Sequence, residues 1–382
     1  MAHFGAEEKL ARIALARSSG VGPIRYFRLL RRFGSALAAH RALPDLMARG
    51  RLAPGRIGSL EAAERELATA ARIGARLLLH GEPGYPARLA HLADPPPVLA
   101  VRGDIALCEG PAVAIVGARN ASANGRAFAR QMARELAAAG ILVISGLARG
   151  IDTAAHEGAS AQAGGTAAVV ACGLDIAYPP ENAELMRMIG ESGLLLSERP
   201  FGEPPRARHF PRRNRLIAAL SLAVVVVEAA ERSGSLMTAR LAGELGREVM
   251  AVPGTPLDPR HRGTNRLLRE GAALVQSAAE VLELLDGLPE ALQPPMAAGA
   301  MPVLPEPPRV ARRELPAAAA DAGVSPLLER LESCLAPEPL AVDELVRQCQ
   351  ASAADVQEAL LELELAGRIA WHPGNRVSRT AG

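Results

Sequence analysis

Three segments of this chain are rich in glycine and serine, follow predicted strands and lead into predicted helices. They read GARNASANG from Gly117, SGLARGID from Ser145 and ERSGSLMTA from Glu231. Amides at a helix N-terminus point outward and attract anions, and glycine lets an anion approach the backbone closely. The three segments are therefore candidate phosphate-binding loops.

A cluster of arginines follows a fourth predicted strand, in the stretch RARHFPRRNR. The planar guanidinium group suits phosphate recognition. For Arg206 and Arg208 a solvated surface is the simpler interpretation. Arg212, Arg213 and Arg215 directly precede LIAALS, which is predicted to start a helix at the ligand-binding edge of the sheet, so a functional interpretation is stronger for them.

The pattern does not fit a dinucleotide. A dinucleotide-binding turn needs GxGxxG and an acidic residue about twenty positions later for the ribose. Here Arg119 stands within the first loop, and the second strand ends in Ser145 and Gly146. Several anion-binding loops with an arginine cluster fit a polyanion better, such as a single nucleic-acid strand. Phe210 or Tyr178 could stack on bases, or either could belong to the core.

No residue set demands catalysis. Asp152 is expected to cap the helix that follows it. His156 and Glu157 are neighbours on that helix and point apart, so both are expected to be structural. Paired carboxylates and a Ser/His/Asp order are missing. A Walker lysine is missing too, because Lys9 is the sole lysine. The cysteines form no CxxC pair, which argues against a zinc site or a disulfide framework. We expect no metal and no cofactor.

Aliphatic runs alternate with helical stretches through the middle of the chain. This alternation predicts βαβ units and a doubly wound, mostly parallel sheet, the extended Rossmann-like class of α/β fold. The predicted strands are 112–117, 141–145, 166–172, 194–198, 223–229, 248–254 and 272–276. Ligands bind at the carboxyl ends of such strands, which is where the candidate loops lie.

The flanking segments differ in composition and suggest separate domains. Residues 1–80 read as helical, and 81–287 as the α/β domain, which begins with an irregular Pro/Gly-rich stretch, 80–104. Residues 288–322 form a Pro/Ala-rich linker. Residues 323–382 predict three short helices and a strand–turn–strand, a winged-helix-like pattern.

A Gly-Val-Gly-Pro turn separates the first two helices of the N-terminal block. Such a hairpin can present amides to a phosphate, as in helix-hairpin-helix modules, or it can be an ordinary tight turn. The sequence leaves both interpretations open.

Global composition says little about partners. The chain has 382 residues, 49% of them hydrophobic, and a net charge of +2, so charge distribution rather than total charge must identify a ligand. No run approaches the ~20 apolar residues that a membrane span needs, and no secretion signal is recognisable. We expect a soluble, cytoplasmic protein.

Successive blocks of the sequence resemble the DNA-processing protein A (DprA/Smf) family. They are VAIVGARNAS, ISGLARGIDTAAHEGA, ACGLDIAYPPENAEL, HFPRRNRLIAALS, VVVVEAAERSGSLMTARLAGELGREVMAVPG and GTNRLLREGAALV, from Val113 to about Val275. The N-terminal block is similar to that family's sterile-alpha-motif-like (SAM-like) domain, and the C-terminal block fits its winged helix.

The resemblance implies a homodimer that binds single-stranded DNA and loads the recombinase RecA onto it in natural transformation, without enzymatic activity. Transferred to matching positions, the implied phosphate-binding residues are Gly117, Arg119, Ser145, Gly146, Arg149, Gly150, Arg212, Arg213, Asn214 and Arg215. Arginine stands here at basic positions where many relatives have lysine, so the charge is kept.

The C-terminal block carries one unexpected feature. Its predicted recognition helix, about Ala353 to Ala366, contains four acidic residues and no basic one. DNA phosphates should repel such a helix. We expect this domain to make protein contacts instead.

Two enzymes remain as alternatives. A phosphoribohydrolase on a similar sheet would need a PGGxGT loop and a nearby catalytic Glu, whereas the comparable position here reads ERSGSLMTA. A dinucleotide-dependent oxidoreductase would need the glycine fingerprint and the ribose acid discussed above. Both are weaker than the DNA-binding interpretation.

Overall fold

The computed structural model describes residues 4–287 except 53, and 326–380 with gaps at 337, 350, 352–355, 357–358, 361–362, 365–367 and 373–375. The chain divides into two compact units, residues 1–40 with 57–297, and residues 41–56 with 298–382. The predicted linker, 288–322, lies outside the described residues. Across the described ranges, no helix combines the length and apolarity needed to cross a bilayer.

A nine-stranded sheet forms the centre of the first unit. Its order is β1-β2-β6-β5-β4-β3-β7-β8-β9; β1 pairs antiparallel with β2 and β2 with β6, and all other pairs are parallel. The strands are β1 Ala75–Leu79, β2 Val98–Gly103, β3 Ala112–Val116, β4 Leu142–Ser145, β5 Thr166–Val169, β6 Leu194–Ser197, β7 Ala223–Val226, β8 Glu248–Ala251 and β9 Ala273–Leu274. The extended Rossmann-like α/β class is confirmed.

Helices precede the sheet and cover both of its faces. They are α1 Ala6–Ala16, α2 Pro23–Phe33, α3 Ala36–Ala48, α4 Leu60–Arg72, α5 Ala87–Ala90, α6 Ala123–Ala138, α7 Ile151–Ala159, α8 Ala183–Ser192, α9 His209–Leu220, α10 Gly234–Glu244, α11 Arg262–Arg269 and α12 Ala278–Asp286. The predicted N-terminal helical block is thus observed as α1 to α4.

The central strands are buried on both faces, which is why they read as continuous aliphatic runs. Val113 and Ile115 of β3 pack into the core under α6, α7 and α12. Ala114 and Val116 point to the opposite face and pack into the core under α9 and α10. Successive side chains of one strand therefore pack into two different cores. This packing fixes the helices relative to the strand ends.

The strand order reverses next to β3, where β4 lies on one side and β7 on the other. A crevice opens at the carboxyl ends of the strands at such a point. Here it collects the loops that enter α6, α7 and α10, together with the start of α9.

Two strands correct the sequence analysis. Ala75–Leu79 was predicted as helical, and Val98–Gly103 lay in the stretch predicted to be irregular. A short leucine run is compatible with both helical and strand periodicity. The second strand was missed because prolines lie close to it in the sequence. Both are antiparallel additions at one edge of the sheet. The first begins before residue 81, where the α/β domain was expected to begin. The domain bounds otherwise stay a prediction.

The seven predicted strands are all present but shorter at their ends. The run predicted as 166–172, for example, is strand only at Thr166–Val169. Its last residues continue as buried loop at the ligand-binding edge, since Ala171 and Cys172 are hardly exposed. Apolar composition alone does not distinguish such a buried loop from a strand.

The second unit includes a small winged-helix fold. Its elements are α13 Pro326–Cys334, β10 Leu340–Ala341, α14 Val342–Cys349, β11 Ile369–His372 and β12 Arg376–Arg379. The strands form an antiparallel sheet in the order β10-β12-β11, so the predicted strand–turn–strand is confirmed and β10 is an addition. Most of the predicted recognition helix, 353–366, lies outside the described residues.

Candidate nucleic-acid interface

Two adjoining cavities open at the carboxyl edge of the sheet. The larger, of about 540 Å³, lies between the loop after β3, the start of α9 and the start of α10. The smaller, of about 400 Å³, lies between the loops after β3, β4 and β5. Both are lined by Arg119, Asn120, Ala148 and Phe210, so the cavities meet there.

The helix N-terminus after β3 already holds an acidic side chain of the chain itself. The buried carboxylate of Glu228, just beyond β7, accepts hydrogen bonds from the amide of Ser122 at 2.9 Å and from its hydroxyl at 2.5 Å. Gly125 lies so close to this carboxylate that a Cβ there would be 2.4 Å from Oε1. Glu228 therefore occupies the position where a Rossmann fold holds a phosphate.

The loop after β4 is filled in the same way. Asp152 Oδ2 accepts from the amides of Gly146 at 3.1 Å and Ala148 at 3.3 Å. The amide between them, Leu147, donates to Nε2 of His156 at 3.3 Å. Asp152 was expected to cap its own helix. Instead it binds the preceding loop, because it lies one residue inside α7, whose N-cap is Gly150.

His156 is a structural residue, as expected from the sequence. Its Nδ1 lies 2.7 Å from Thr166 Oγ1, whose hydroxyl donates to the carbonyl of Val143. Nδ1 must therefore carry the proton, and Nε2 is left to accept from Leu147. Burial lowers the pKa of His156 to about 3, with a smaller contribution from Arg213, so the ring is neutral at pH 7.

The helix N-terminus after β7 differs from the other two, because it faces the larger cavity. Ser233, Gly234 and Ser235 all line it. Ser233 Oγ accepts a long hydrogen bond of 3.3 Å from the Ser235 amide, and it lies 2.7 Å from the Ser235 hydroxyl oxygen. Among the described residues, nothing accepts a hydrogen bond from the Gly234 amide, the first of α10. This end of α10 can bind an anion from outside.

Arg213 places a buried cation at the floor of the larger cavity. Its Nη1 donates to the carbonyl of Val169 at 2.7 Å, and its guanidinium packs against Gly146, where a Cβ would be 1.7 Å away. Burial lowers the pKa of Arg213, and the nearby charge of Asp152 opposes that shift. Its Nε is buried and has no hydrogen-bond partner in the described structure.

Arg119 and Phe210 form the boundary between the two cavities. The Arg119 guanidinium lies 5.0 Å from the centre of the Phe210 ring, and Tyr178 lies 5.9 Å from that ring. Tyr178 is 39% exposed. No carboxylate of the described chain lies within ion-pair distance of Arg119. In the smaller cavity, Arg149 pairs with Glu181, and both groups are exposed.

The structure separates the predicted phosphate-binding residues into two groups. Six of them line a cavity: Gly117, Arg119, Gly146, Arg149, Arg213 and Asn214. Four do not: Ser145, Gly150, Arg212 and Arg215. The Ser145 hydroxyl donates to the carbonyl of Ile115, and Gly150 packs against the loop after β3. Arg215 pairs with Asp94 and Glu198. Arg212 is exposed.

Several lining residues were missed by sequence reasoning. Arg232 and Arg260 add charge to the larger cavity, although Arg260 pairs with Asp258 at 2.7 Å. Arg232 directly precedes the Ser-Gly-Ser turn, and this position could have signalled its role. Glu228 gave no comparable signal, because a single acid after an aliphatic strand reads as a solvent-facing residue.

The sequence matches family models along most of its length. A model described as DNA recombination-mediator protein A matches residues 76–286. Two further models match the flanks: the DprA-like N-terminal HHH domain at residues 6–69, and the DprA winged helix domain at residues 315–375.

Proteins of similar sequence are named Smf or DprA. Protein Smf of Synechocystis sp. is 34% identical over 318 residues, covering 80% of each chain. DNA processing protein DprA of Streptococcus pneumoniae is 44% identical over 198 residues, covering 52% of this chain and 70% of the relative.

Solved structures of DNA processing protein A are also similar to this chain. The X-ray structure of DNA processing protein A from Streptococcus pneumoniae superposes with a TM-score of 0.61 at 31% identity, covering 74% of this chain and 98% of that one. A Helicobacter pylori structure concerning the single-stranded DNA binding mode of the same protein gives 0.51 at 33% identity, covering 55% and 95%. The chain therefore belongs to the DNA recombination-mediator protein A (DprA/Smf) family of DNA-processing proteins.

Proposed function

We propose that this chain binds single-stranded DNA along the two cavities at the carboxyl edge of its sheet. Backbone phosphates bind Arg119, Arg213 and the N-terminus of α10, and a base stacks on Phe210 or Tyr178. Arg149 and Arg212 add charge at the margins. Ser145, Gly150 and Arg215 hold the loops in place rather than touching the strand.

One observation carries this proposal: cations, the amides of a helix N-terminus and aromatic rings line two cavities that adjoin at Arg119 and Phe210. A single strand presents alternating phosphates and unstacked bases, and its binders combine a basic groove with aromatic platforms. Asp152 is the sole carboxylate lining either cavity, and its charge faces Arg213. The Helicobacter pylori relative, whose structure concerns single-stranded DNA binding, adds support.

We propose binding rather than turnover as the activity. A nucleotide hydrolase needs a base or nucleophile that can reach its substrate. The cavity linings contain the hydroxyls of Ser233, Ser235 and Tyr178 but no histidine, cysteine or glutamate beside them. Asp152 already accepts from two amides, and burial raises its pKa, with Arg213 opposing. A nucleotide-hydrolysis assay on the wild-type chain checks this directly, and substrate turnover would contradict it.

The resemblance to the family extends the proposal to partners. We propose that the chain acts in the cytoplasm as a homodimer through its α/β unit, protects incoming strands and loads RecA onto them. Sedimentation across a concentration series tests the dimer. RecA ATPase activity on a single strand, with and without this chain, tests loading. We further propose that the winged-helix unit contacts proteins rather than DNA.

The test of the central proposal is binding of a labelled oligonucleotide across a salt series. Arg119→Ala should weaken single-strand binding about tenfold. It should also reduce the slope of log K against log salt by about 0.7, the value for one lost phosphate contact. Arg134→Ala is the matched control, because Arg134 is exposed on α6 and lines neither cavity. Equal binding by both variants would contradict the proposed site.

A further inference from the structure

Helix α2 presents a strongly basic face. Its eleven residues, PIRYFRLLRRF, contain four arginines and no acidic residue. At about 100° per residue, Arg25, Arg28, Arg31 and Arg32 fall within an arc of about 120°. Ile24 lies in the same arc and is 54% exposed. The charge is therefore concentrated along one side of the helix.

The opposite side of α2 is anchored in the first unit, which fixes the basic face outward. Tyr26 is fully buried, and Leu29 is nearly so. Phe27 packs edge-on against His80, with ring centres 4.8 Å apart, and His80 contacts Tyr85 at 5.3 Å. The aromatic residues of the inner side are thus committed to packing.

The turn before α2 adds to this face. Gly20 adopts φ 74°, a left-handed conformation that favours glycine, and Gly22 is the extended N-cap. Pro23 starts the helix, and no side chain caps its first amides. Arg25 Nη1 donates to the carbonyl of Gly20 at 2.9 Å, which ties the turn to the helix. The positive end of the helix dipole therefore adjoins Arg25, at the start of the basic face.

We propose that this basic face of α2, defined by Arg25, Arg28, Arg31 and Arg32, binds the phosphodiester backbone of duplex DNA. Duplex binding without sequence preference requires cations that neutralise phosphates, and little else. Single-strand binding relies on exposed aromatic platforms, which this face does not offer, because Tyr26 and Phe27 point inward. The face is thus a second nucleic-acid contact, chemically distinct from the cavities, and it goes beyond the function proposed above.

The test uses the full chain and a labelled duplex of about 30 base pairs. Arg31→Ala/Arg32→Ala removes two exposed cations, and alanine preserves the helix. Duplex binding should weaken at every salt concentration, and the salt slope should fall by about 2, or about 1 for each phosphate contact. Arg31→Lys/Arg32→Lys should keep the wild-type slope.

Two comparisons separate this inference from the proposed function. Arg134→Ala/Arg269→Ala removes the same charge from exposed positions of the α/β unit and should leave duplex binding unchanged. Single-strand binding by Arg31→Ala/Arg32→Ala should stay at the wild-type level. This expectation does not depend on how Arg119→Ala changes single-strand binding. An unchanged duplex slope in Arg31→Ala/Arg32→Ala, or an equal loss in the control pair, would overturn the inference.

Discussion

The loops after β3 and β7 have similar compositions, but only the first binds a carboxyl group of the described chain. Both are rich in glycine and serine, and both lead into a helix at the same sheet edge, α6 and α10. At the first, the amide and hydroxyl of Ser122 bind the carboxylate of Glu228. At the second, the matching Ser233 amide donates to the backbone carbonyl of Ala230, no carboxylate of the described chain binds the loop, and Gly234 lines the larger cavity.

This difference shows that a side chain of the same protein can occupy a helix N-terminus whose sequence suggests anion binding. Glu228 is 106 residues from Ser122 in the chain. Its side chain also takes the space that a phosphate would need beside Ser122 and Gly125. The loop after β4 follows the same rule through Asp152 and His156. Of the three candidate loops, the one entering α10 is open to an external ligand.

The largest expected effect tests the filled loop after β3. Glu228→Ala leaves the Ser122 amide and hydroxyl without their acceptor and opens a cavity beside Gly125. We expect the free energy of unfolding to fall by about 3 kcal/mol, as measured by urea denaturation. Glu228→Gln keeps the size and one acceptor oxygen, so it should cost clearly less.

The same variant should turn a filled loop into an open one. Inorganic phosphate should raise the Tm of Glu228→Ala more than that of the wild type, because the vacated α6 N-terminus can take an anion. A loss below about 1 kcal/mol with no added response to phosphate would show that Glu228 does not fill this loop.

The next effect concerns the loop after β4 and depends on pH. The pKa of His156 is about 3 in the folded chain and about 6.5 when exposed. Between these values the unfolded chain binds a proton that the folded chain does not. Stability therefore falls as the pH falls through this window. From pH 7 to pH 5 this one group should contribute a loss of about 2 kcal/mol.

His156→Gln isolates that contribution, because the other histidines titrate alike in both proteins. The variant should be less stable than the wild type at pH 7, and the gap should narrow by about 2 kcal/mol at pH 5. Denaturant titrations at the two pH values measure the gap. A gap that stays constant would mean that the ring is not held neutral by its buried contacts.

Much of the fold was predictable, because local pattern and tertiary role agree for most elements. The strand cores of β3 and β7 are aliphatic runs buried on both faces, and such runs identify a parallel sheet without further information. The edge strands β1 and β2 were not predictable. Their residues lie beside helical and Pro/Gly-rich stretches, and the pairing of β2 with β6 depends on contacts distant in sequence.

The candidate site was predictable in its location and less so in its details. The topology of a doubly wound sheet brings Gly117, Gly146 and Arg213 to one edge, independently of the contacts that their side chains make. Which groups remain open depends on pairings such as Glu228 with Ser122 and Arg215 with Glu198. These pairings depend on the folded geometry, and no local pattern encodes them.

The smallest expected effect addresses the central claim, that the α10 N-terminus receives phosphate whereas the α6 N-terminus does not. Gly234→Pro removes one amide from α10, and Ala123→Pro makes the same change at the first residue of α6. Proline is well tolerated at both, because each follows an extended serine N-cap. Gly234→Ala keeps the amide, and its added Cβ meets open space.

The decisive measurement is single-stranded DNA binding by these three variants under one salt condition. We predict that Gly234→Pro loses about tenfold in affinity, about 1.4 kcal/mol, for one hydrogen bond to a charged phosphate. Ala123→Pro and Gly234→Ala should bind like the wild type. Full binding by Gly234→Pro, or a loss in Ala123→Pro equal to it, would contradict the account.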